Sequence, residues 1–423
     1  MKTVFSSILI SVVLLTGSDY SYGQQSSDSL YFYLRLAAEN NPTVLQRSIE
    51  YEAALKKIPQ AGTLPDPQLD IGVFITPMEL LGGKQVADMR LMQMFPWFGV
   101  LKNAKDEMSL MALSKFELFR DARLQVWYDV RRTWYELFKV RKNIIISEKS
   151  LENLKVIEQL TLIRYKTSAA GNSDLTDLYR IQIEAGELKN NIALLINQEQ
   201  TIVAGFNSLL NRPPLTKVYT NEVLLPDTLD LNLLAVSDSI QDGNPMPKML
   251  DFEKEAFQAR EKMVKGMGYP MVGLGLNYSL INGSSMSATS MNGADMIMPM
   301  ISLTLPVYRK KYTAMREEVS LLSKASSMNY QAVSNSLRNE YFMAVQLYQD
   351  ALRRVKLYED QYLLATKSLE IMLKSLSVSD AALTDVLRVR QQTLDYELKQ
   401  VEAITDLNTA AAWLNRLMAR SEF

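Results

Sequence analysis

Apolar residues recur at sevenfold spacing along two tracts of this chain that contain neither glycine nor proline, Val100–Ala170 and Val307–Phe423. In the first tract Val130, Leu137, Ile144 and Leu151 form the stripe, beside Trp127 and Trp134; in the second it is Tyr341, Tyr348, Val355 and Tyr362. A period of seven predicts long helices wound against neighbours, with these aromatics as packing residues. Ordinary helices average about 11–12 residues, so breaker-free tracts of this length are unusual. Each tract must nevertheless turn back. Ser168–Asp174 and Ser375–Asp380 supply the Ser/Asp clusters that turn a chain and cap the next helix.

Between the helical tracts the period drops to two. Leu69, Ile71, Val73 and Ile75 alternate with Asp70, Gly72 and Phe74, and Val272, Leu274, Leu276 and Tyr278 alternate with Gly273, Gly275, Asn277 and Ser279. Returning strands follow, with Met89, Leu91 and Phe95 on one row and Ile297, Ile301, Leu303 and Leu305 on the other strand's equivalent row. Their facing rows hold Asp88, Arg90, Met92 and Met94, then Met296, Met298, Met300, Ser302 and Thr304. Such alternation predicts half-buried β-hairpins. A soluble sandwich edge would carry the same pattern. Strands of about ten residues also suffice to cross a bilayer at a tilt, and Phe95, Trp97, Phe98, Tyr269 and Tyr308 stand where an interfacial aromatic girdle belongs.

Pro67, Pro96, Pro270 and Pro306 punctuate these changes of period, and they expose a tandem repeat. Asn41-Pro42, Glu50, Glu52, Ala53, Pro67 and Gly72 recur 203 positions later as Asn244-Pro245, Glu253, Glu255, Ala256, Pro270 and Gly275, and Pro96 recurs as Pro306 at an offset of 210. Leu175-Thr176-Asp177 and Arg180 likewise match Leu383-Thr384-Asp385 and Arg388. The expected organisation is a leader over 1–23, a first repeat over 24–211, a linker over 212–243 wrapping the middle, and a second repeat over 244–423. The fold class is mostly α with a small β part, each repeat placing one hairpin among very long helices.

Two hairpins supply four strands, which cannot close a barrel, and an open sheet edge finds no hydrogen-bond partner in lipid. Three copies give twelve strands around an open bore. Two copies give eight strands, whose interior side chains fill the bore. A homotrimer is therefore the expected assembly, with the helices extending the tube on one side.

Composition narrows the chemistry. The chain has 423 residues, with 46 basic against 47 acidic side chains, so bulk charge gives no case for nucleic acid. It has no cysteine and no histidine, which excludes disulfides, a lipid-bearing cysteine, imidazole metal ligation and histidine acid–base catalysis. No nucleophile–base pair or phosphate-cradling loop is visible, so neither enzyme activity nor a cofactor is expected.

The organisation resembles the TolC family of outer-membrane efflux ducts along essentially the whole chain after the leader. Ala38-Glu39-Asn40-Asn41-Pro42 is similar to the family's repeat opening, and Thr384-Asp385-Val386-Leu387, with the looser Thr176-Asp177-Leu178, to its post-turn motif. Gln93-Met94-Phe95-Pro96-Trp97-Phe98-Gly99-Val100-Leu101 resembles the barrel-exit motif of the heavy-metal subgroup, departing at Phe98 and Val100. The resemblance implies a trimeric twelve-stranded barrel with a long α-helical periplasmic tunnel. It implies a passive outer-membrane channel fed by a periplasmic adaptor (a membrane fusion protein) and an inner-membrane pump of the resistance-nodulation-division type, with heavy-metal cations as candidate cargo. A duct for organic drugs or type I protein secretion shares this architecture. A periplasmic coiled-coil scaffold that never enters a membrane is the alternative from another class.

The resemblance also marks candidate sites. Adaptor contacts fall on the tips Ala169, Ala170, Gly171 and Asn172, and Leu376, Ser377, Val378 and Ser379. A periplasmic constriction falls on Asp385, with Arg388 where a second aspartate is usual, and Asp177 as the first repeat's counterpart. Three Asp385 carboxylates around an axis would attract cations; equally, Asp385 is a first-turn residue favoured by the helix dipole. Met92, Met94, Met296, Met298 and Met300 would line the barrel lumen. Thioethers suit soft monovalent metals, and they also serve as flexible fillers in a chain with 22 methionines.

Overall fold

The computed structural model describes residues 30–167, 173–229, 243–377 and 383–420. Among these residues eleven elements follow one another in the order α1 (Leu30–Asn40), α2 (Pro42–Gly62), β1 (Gln68–Leu80), β2 (Gly83–Phe95), α3 (Val100–Thr167), α4 (Ser173–Leu209), α5 (Pro245–Met267), β3 (Met271–Asn282), β4 (Met296–Thr304), α6 (Arg309–Ser377) and α7 (Leu383–Leu417). The breaker-free tracts fold as α3, of 68 residues, and α6, of 69. At 1.5 Å per residue each runs about 100 Å. Pro67 and Pro270 immediately precede strands, and Pro96 and Pro306 follow them.

Each long helix is accompanied by two shorter ones laid head to tail, and an asparagine joins them. Asn41 Oδ1 accepts from the Thr43 and Val44 backbone N–H groups at 2.9 and 3.4 Å, capping α2. Its Nδ2 donates to the Leu209 carbonyl, 2.8 Å away at the end of α4. Asn244 does the same in the second half. Its Oδ1 caps α5 at Met246 N–H (2.9 Å), and its Nδ2 donates to the Leu417 carbonyl at the end of α7 (3.0 Å). One side chain thus satisfies orphan groups at a helix start and a helix end together. The proline after each asparagine occupies the first helical turn, where it forfeits no hydrogen bond.

The heptad residues form the packed seams. Val130, Trp134 and Leu137 are buried against Tyr33, Phe206 and Leu210, while Tyr341, Tyr348, Leu407 and Leu414 fill the corresponding seam of the second half. A third cluster joins the two halves, with Leu154, Ile157 and Ile181 against Leu383, Leu387 and Leu394. Segment 212–229 crosses between these seams without regular secondary structure, after a turn closed by Thr216 N–H on the Pro213 carbonyl. Tyr219 N–H donates to Tyr33 Oη and its carbonyl accepts from Trp134 Nε1; farther on, Leu229 N–H donates to Tyr348 Oη at 2.7 Å. The buried aromatic hydroxyls and indole thereby find partners in an otherwise apolar layer.

All four strands join one antiparallel sheet in the order β1-β2-β3-β4, so the two hairpins pair with each other through β2 and β3. Strands β1 and β4 are its edges, and each contains a proline, Pro77 and Pro299.

Candidate functional site

The register gives the sheet two chemically distinct faces, because directly paired residues point to the same side. Ile71 pairs with Met89, Met89 with Tyr278, and Tyr278 with Ile297; Leu69 pairs with Leu91, Leu91 with Leu276, and Leu276 with Pro299. These rows form one largely apolar face, which also carries Tyr278 and, opposite Leu274, Gln93; it is uncovered by any described element, with Ile71 61% and Ile301 77% exposed. On the opposite face Asp70 pairs with Arg90, Arg90 with Asn277, and Asn277 with Met298. Gly72, Asp88, Ser279 and Met296 form the adjoining row.

The five candidate lumen methionines all lie on this second face. Met92 pairs with Gly275 and Gly275 with Met300, while Met94 pairs with Gly273. The glycines make room for thioethers. A β-carbon at Gly275 would stand 2.8 Å from Met92 Cε, and one at Gly273 would stand 2.6 Å from Met94 Sδ. Met92 is buried in this packing, whereas Met296 and Met298 are each 51% exposed.

At the outer end, the connection after β3 folds over the β1–β2 turn. Gly293 N–H donates to the Gly82 carbonyl at 2.9 Å, and Thr289 Oγ1 donates to the Leu81 carbonyl. Gly83 holds a φ of 128°, and a β-carbon there would meet the Asn282 carbonyl oxygen at 2.4 Å, so glycine alone fits. At the inner end, where strands give way to helices, the Trp97 ring stacks on Tyr269 at 5.1 Å, and Phe98 and Tyr308 are largely exposed.

The far ends of the helices bring the constriction candidates together. Arg180 Nη1 donates to Thr384 Oγ1 at 2.7 Å and stands 4.0 Å from Asp177. Asp385, half-buried, forms an ion pair with the exposed Arg388 one turn on, at 2.9 Å. The first repeat's motif thus touches the second's. Of the adaptor-tip candidates, Ala169, Ala170, Gly171, Asn172, Val378 and Ser379 lie outside the described residues; Leu376 and Ser377 end α6.

A functional-looking cluster that sequence reasoning missed lies one to two turns deeper. Arg390 is buried, with 3% of its side chain exposed; it pairs with Glu184 on α4 and donates to Ser150 Oγ on α3 at 2.7 Å. Its Nε and the Asn143 Oδ1 are buried without partners beside a cleft of about 380 Å³ between α3, α4 and α7. The signal was present, since Arg390 interrupts the apolar series Leu383, Leu387, Leu394 and Val401. Two carboxyls near the girth and the sheet, Asp121 and Glu107, are pushed upward chiefly by burial, against the opposing pull of Arg416 and Arg260 respectively. Among the described residues no group of acidic side chains could hold a metal ion, and no helix is long and apolar enough to cross a membrane.

No family model matches the chain, and no curated protein matches it. Solved structures do. The outer-membrane channel OprN superposes with a TM-score of 0.77 at 13% identity, over 93% of this chain and 90% of that one. CusC, described in terms of folding and transmembrane channel formation, gives 0.76 at 13% identity over 92% and 91%. The Campylobacter jejuni CmeC outer membrane channel gives 0.75 at 13% identity over 92% and 85%. The chain therefore has the fold of these outer-membrane channels: long helices carrying a small four-stranded antiparallel sheet.

Proposed function

We propose that this protein is a passive outer-membrane channel that assembles as a homotrimer, closing a twelve-stranded barrel from three four-stranded sheets. The observation that carries the reading is the two-faced sheet. Its uncovered, largely apolar face suits lipid, its opposite face is polar and methionine-bearing, and both edges are free. Such edges need partners inside a bilayer. In this reading the chain is two structural repeats, 24–211 and 244–423, joined by the linker 212–243 after a leader, and the helices form the periplasmic tunnel. An adaptor engages the tips, and an inner-membrane pump of the resistance-nodulation-division type supplies the energy. The exit motif at Gln93–Leu101 and the row Met92, Met94, Met296, Met298 and Met300 favour heavy-metal cations as cargo. Asp385, Arg388 and Asp177 form the constriction.

The test is direct. Membranes from cells expressing the full chain should release it only into detergent, as a trimer that dissociates on heating in gel electrophoresis and conducts ions in planar bilayers. Recovery of a monomer from the aqueous fraction would overturn the reading. A deletion strain sensitised to copper or silver rather than to dyes would support metal cargo.

A further inference from the structure

At the junction of sheet and helices lies a cleft of about 890 Å³, walled by the end of α5, the entry to β3, the exit from β4 and the first two turns of α6. Lys265, Arg309 and Arg316 line it, and no acidic residue does. All three side chains are exposed, and none forms an ion pair with another described residue. Arg316 has only a long 3.4 Å bond to its own helix at the Tyr312 carbonyl. Arg309, Lys310 and Lys311 open α6, where the helix dipole opposes positive charge. Arg309 is thus placed against local preference, and no acidic side chain lines the cleft to offset the three cations.

The fold itself does not need them. Counting from Pro96 and Pro306, which end β2 and β4, the first repeat places Gly99 and Asp106 where the second has Arg309 and Arg316. Helix α3 nevertheless leaves the sheet as α6 does and runs 68 residues. The cleft also opens beside the apolar face. Leu305, in its wall, continues the row of Ile297, Ile301 and Leu303 one residue beyond the strand, and is 63% exposed. Tyr269 and Tyr312 also line it, in the amphipathic manner of side chains at a membrane–water boundary.

We infer that this cleft binds the phosphate of an anionic phospholipid from the leaflet beside the helices, with Arg309 and Arg316 on the phosphate and Leu305 against the acyl chains. Clustered cations next to an apolar surface recognise anionic headgroups in this way, and guanidinium geometry suits phosphate oxygens. The inference rests on the membrane reading above, because only insertion brings a leaflet to this level.

Purified full-length protein is first reconstituted into phosphatidylcholine vesicles and checked by co-flotation. Detergent-solubilised protein is then examined by native mass spectrometry with phosphatidylglycerol, phosphatidylcholine or inorganic phosphate. The expected result is retention of phosphatidylglycerol over phosphatidylcholine, weakened on the order of tenfold by the double variant Arg309→Gln/Arg316→Gln, and preserved in Arg309→Lys. The double variant should float with vesicles as the parent does, which separates lipid selection from folding. Equal retention of both lipids, or no change in the double variant, overturns the site and leaves the channel standing. Retention of inorganic phosphate without preference between the lipids overturns the lipid assignment. Failure of the parent to insert overturns the membrane reading and this site together.

Discussion

Leu276 and Asn277 are neighbours near the middle of β3, yet the register places them on opposite faces of the sheet. Leu276 pairs with Leu91 and Pro299 in the apolar face, and Asn277 with Arg90 and Met298 in the polar one. Arginine at each position therefore places the same charge in two environments. On a lipid-facing strand near the bilayer midplane the charge costs about 2–4 kcal/mol per chain. Three symmetry-related copies too far apart to couple would bring that to roughly 6–12 kcal/mol per trimer. On a water-filled lumen the bilayer penalty is absent, leaving the like-charge repulsion from Arg90 directly opposite Asn277, about 0.2–1 kcal/mol per chain. Leu276 is 48% exposed in the single chain, so the penalty comes from the solvent it meets rather than from a protein contact. The assay is equilibrium unfolding of the reconstituted protein in guanidinium, followed by tryptophan fluorescence, with trimer survival on unheated gels as a second readout. Leu276→Arg should abolish the trimer band while Asn277→Arg leaves it intact. If both variants lose stability equally, or neither does, the assignment of faces is wrong and the argument for a barrel wall goes with it.

Asn41→Ala removes a cap worth about 1 kcal/mol and strips the Leu209 carbonyl of its donor at a further ~1–3 kcal/mol; a drop in melting temperature by circular dichroism should be matched by Asn244→Ala. At the helix tips, Arg388→Ala releases Asp385 from its ion pair and should raise cation preference in reversal-potential measurements, whereas Asp385→Ala should lower it; unchanged selectivity in both removes the pair from the conduction path. Burial raises the Asp121 carboxyl above the ordinary aspartate range, so the folded state holds more protons than the unfolded one between the ordinary and the raised value. The stability this residue contributes is present below the ordinary range and is lost as pH rises through the raised value. Asp121→Asn should flatten that limb of the melting temperature against pH, and a parallel curve would refute the assignment.

Much of this architecture is legible in the chain because its signals are periodic and uninterrupted. Heptad aromatics such as Trp134 and Tyr341 mark the packed side of long helices, and the proline quartet marks where period seven becomes period two. The alternation in β3 and β4 already separates Leu276 from Asn277 and Ile301 from Met300. What the sequence hides is pairwise. Nothing local says that β2 pairs with β3, that Asn41 reaches Leu209 across 168 positions, or that Arg390 meets Glu184 and Ser150 on two other helices. Those contacts depend on the relative rotation of separate helices, and a charged residue such as Arg390 inside an apolar stripe is their only local trace. The cations Arg309 and Arg316 look like an ordinary solvated helix start until the cleft around them is seen.

The asparagine splices have a consequence for how such a molecule can change size over evolutionary time. Helix α3 is continuous, whereas the rod antiparallel to it is assembled from α4 and α2, and α6 is matched in the same way by α7 and α5. Inserting one heptad into α3 alone would push its tip about 10 Å past its partner and pull Asn41 away from Leu209. Lengthening is tolerated only when four rods grow by whole heptads in concert. The reach of the helices below the sheet is therefore quantised, and any protein that docked on their tips would inherit a fixed standoff.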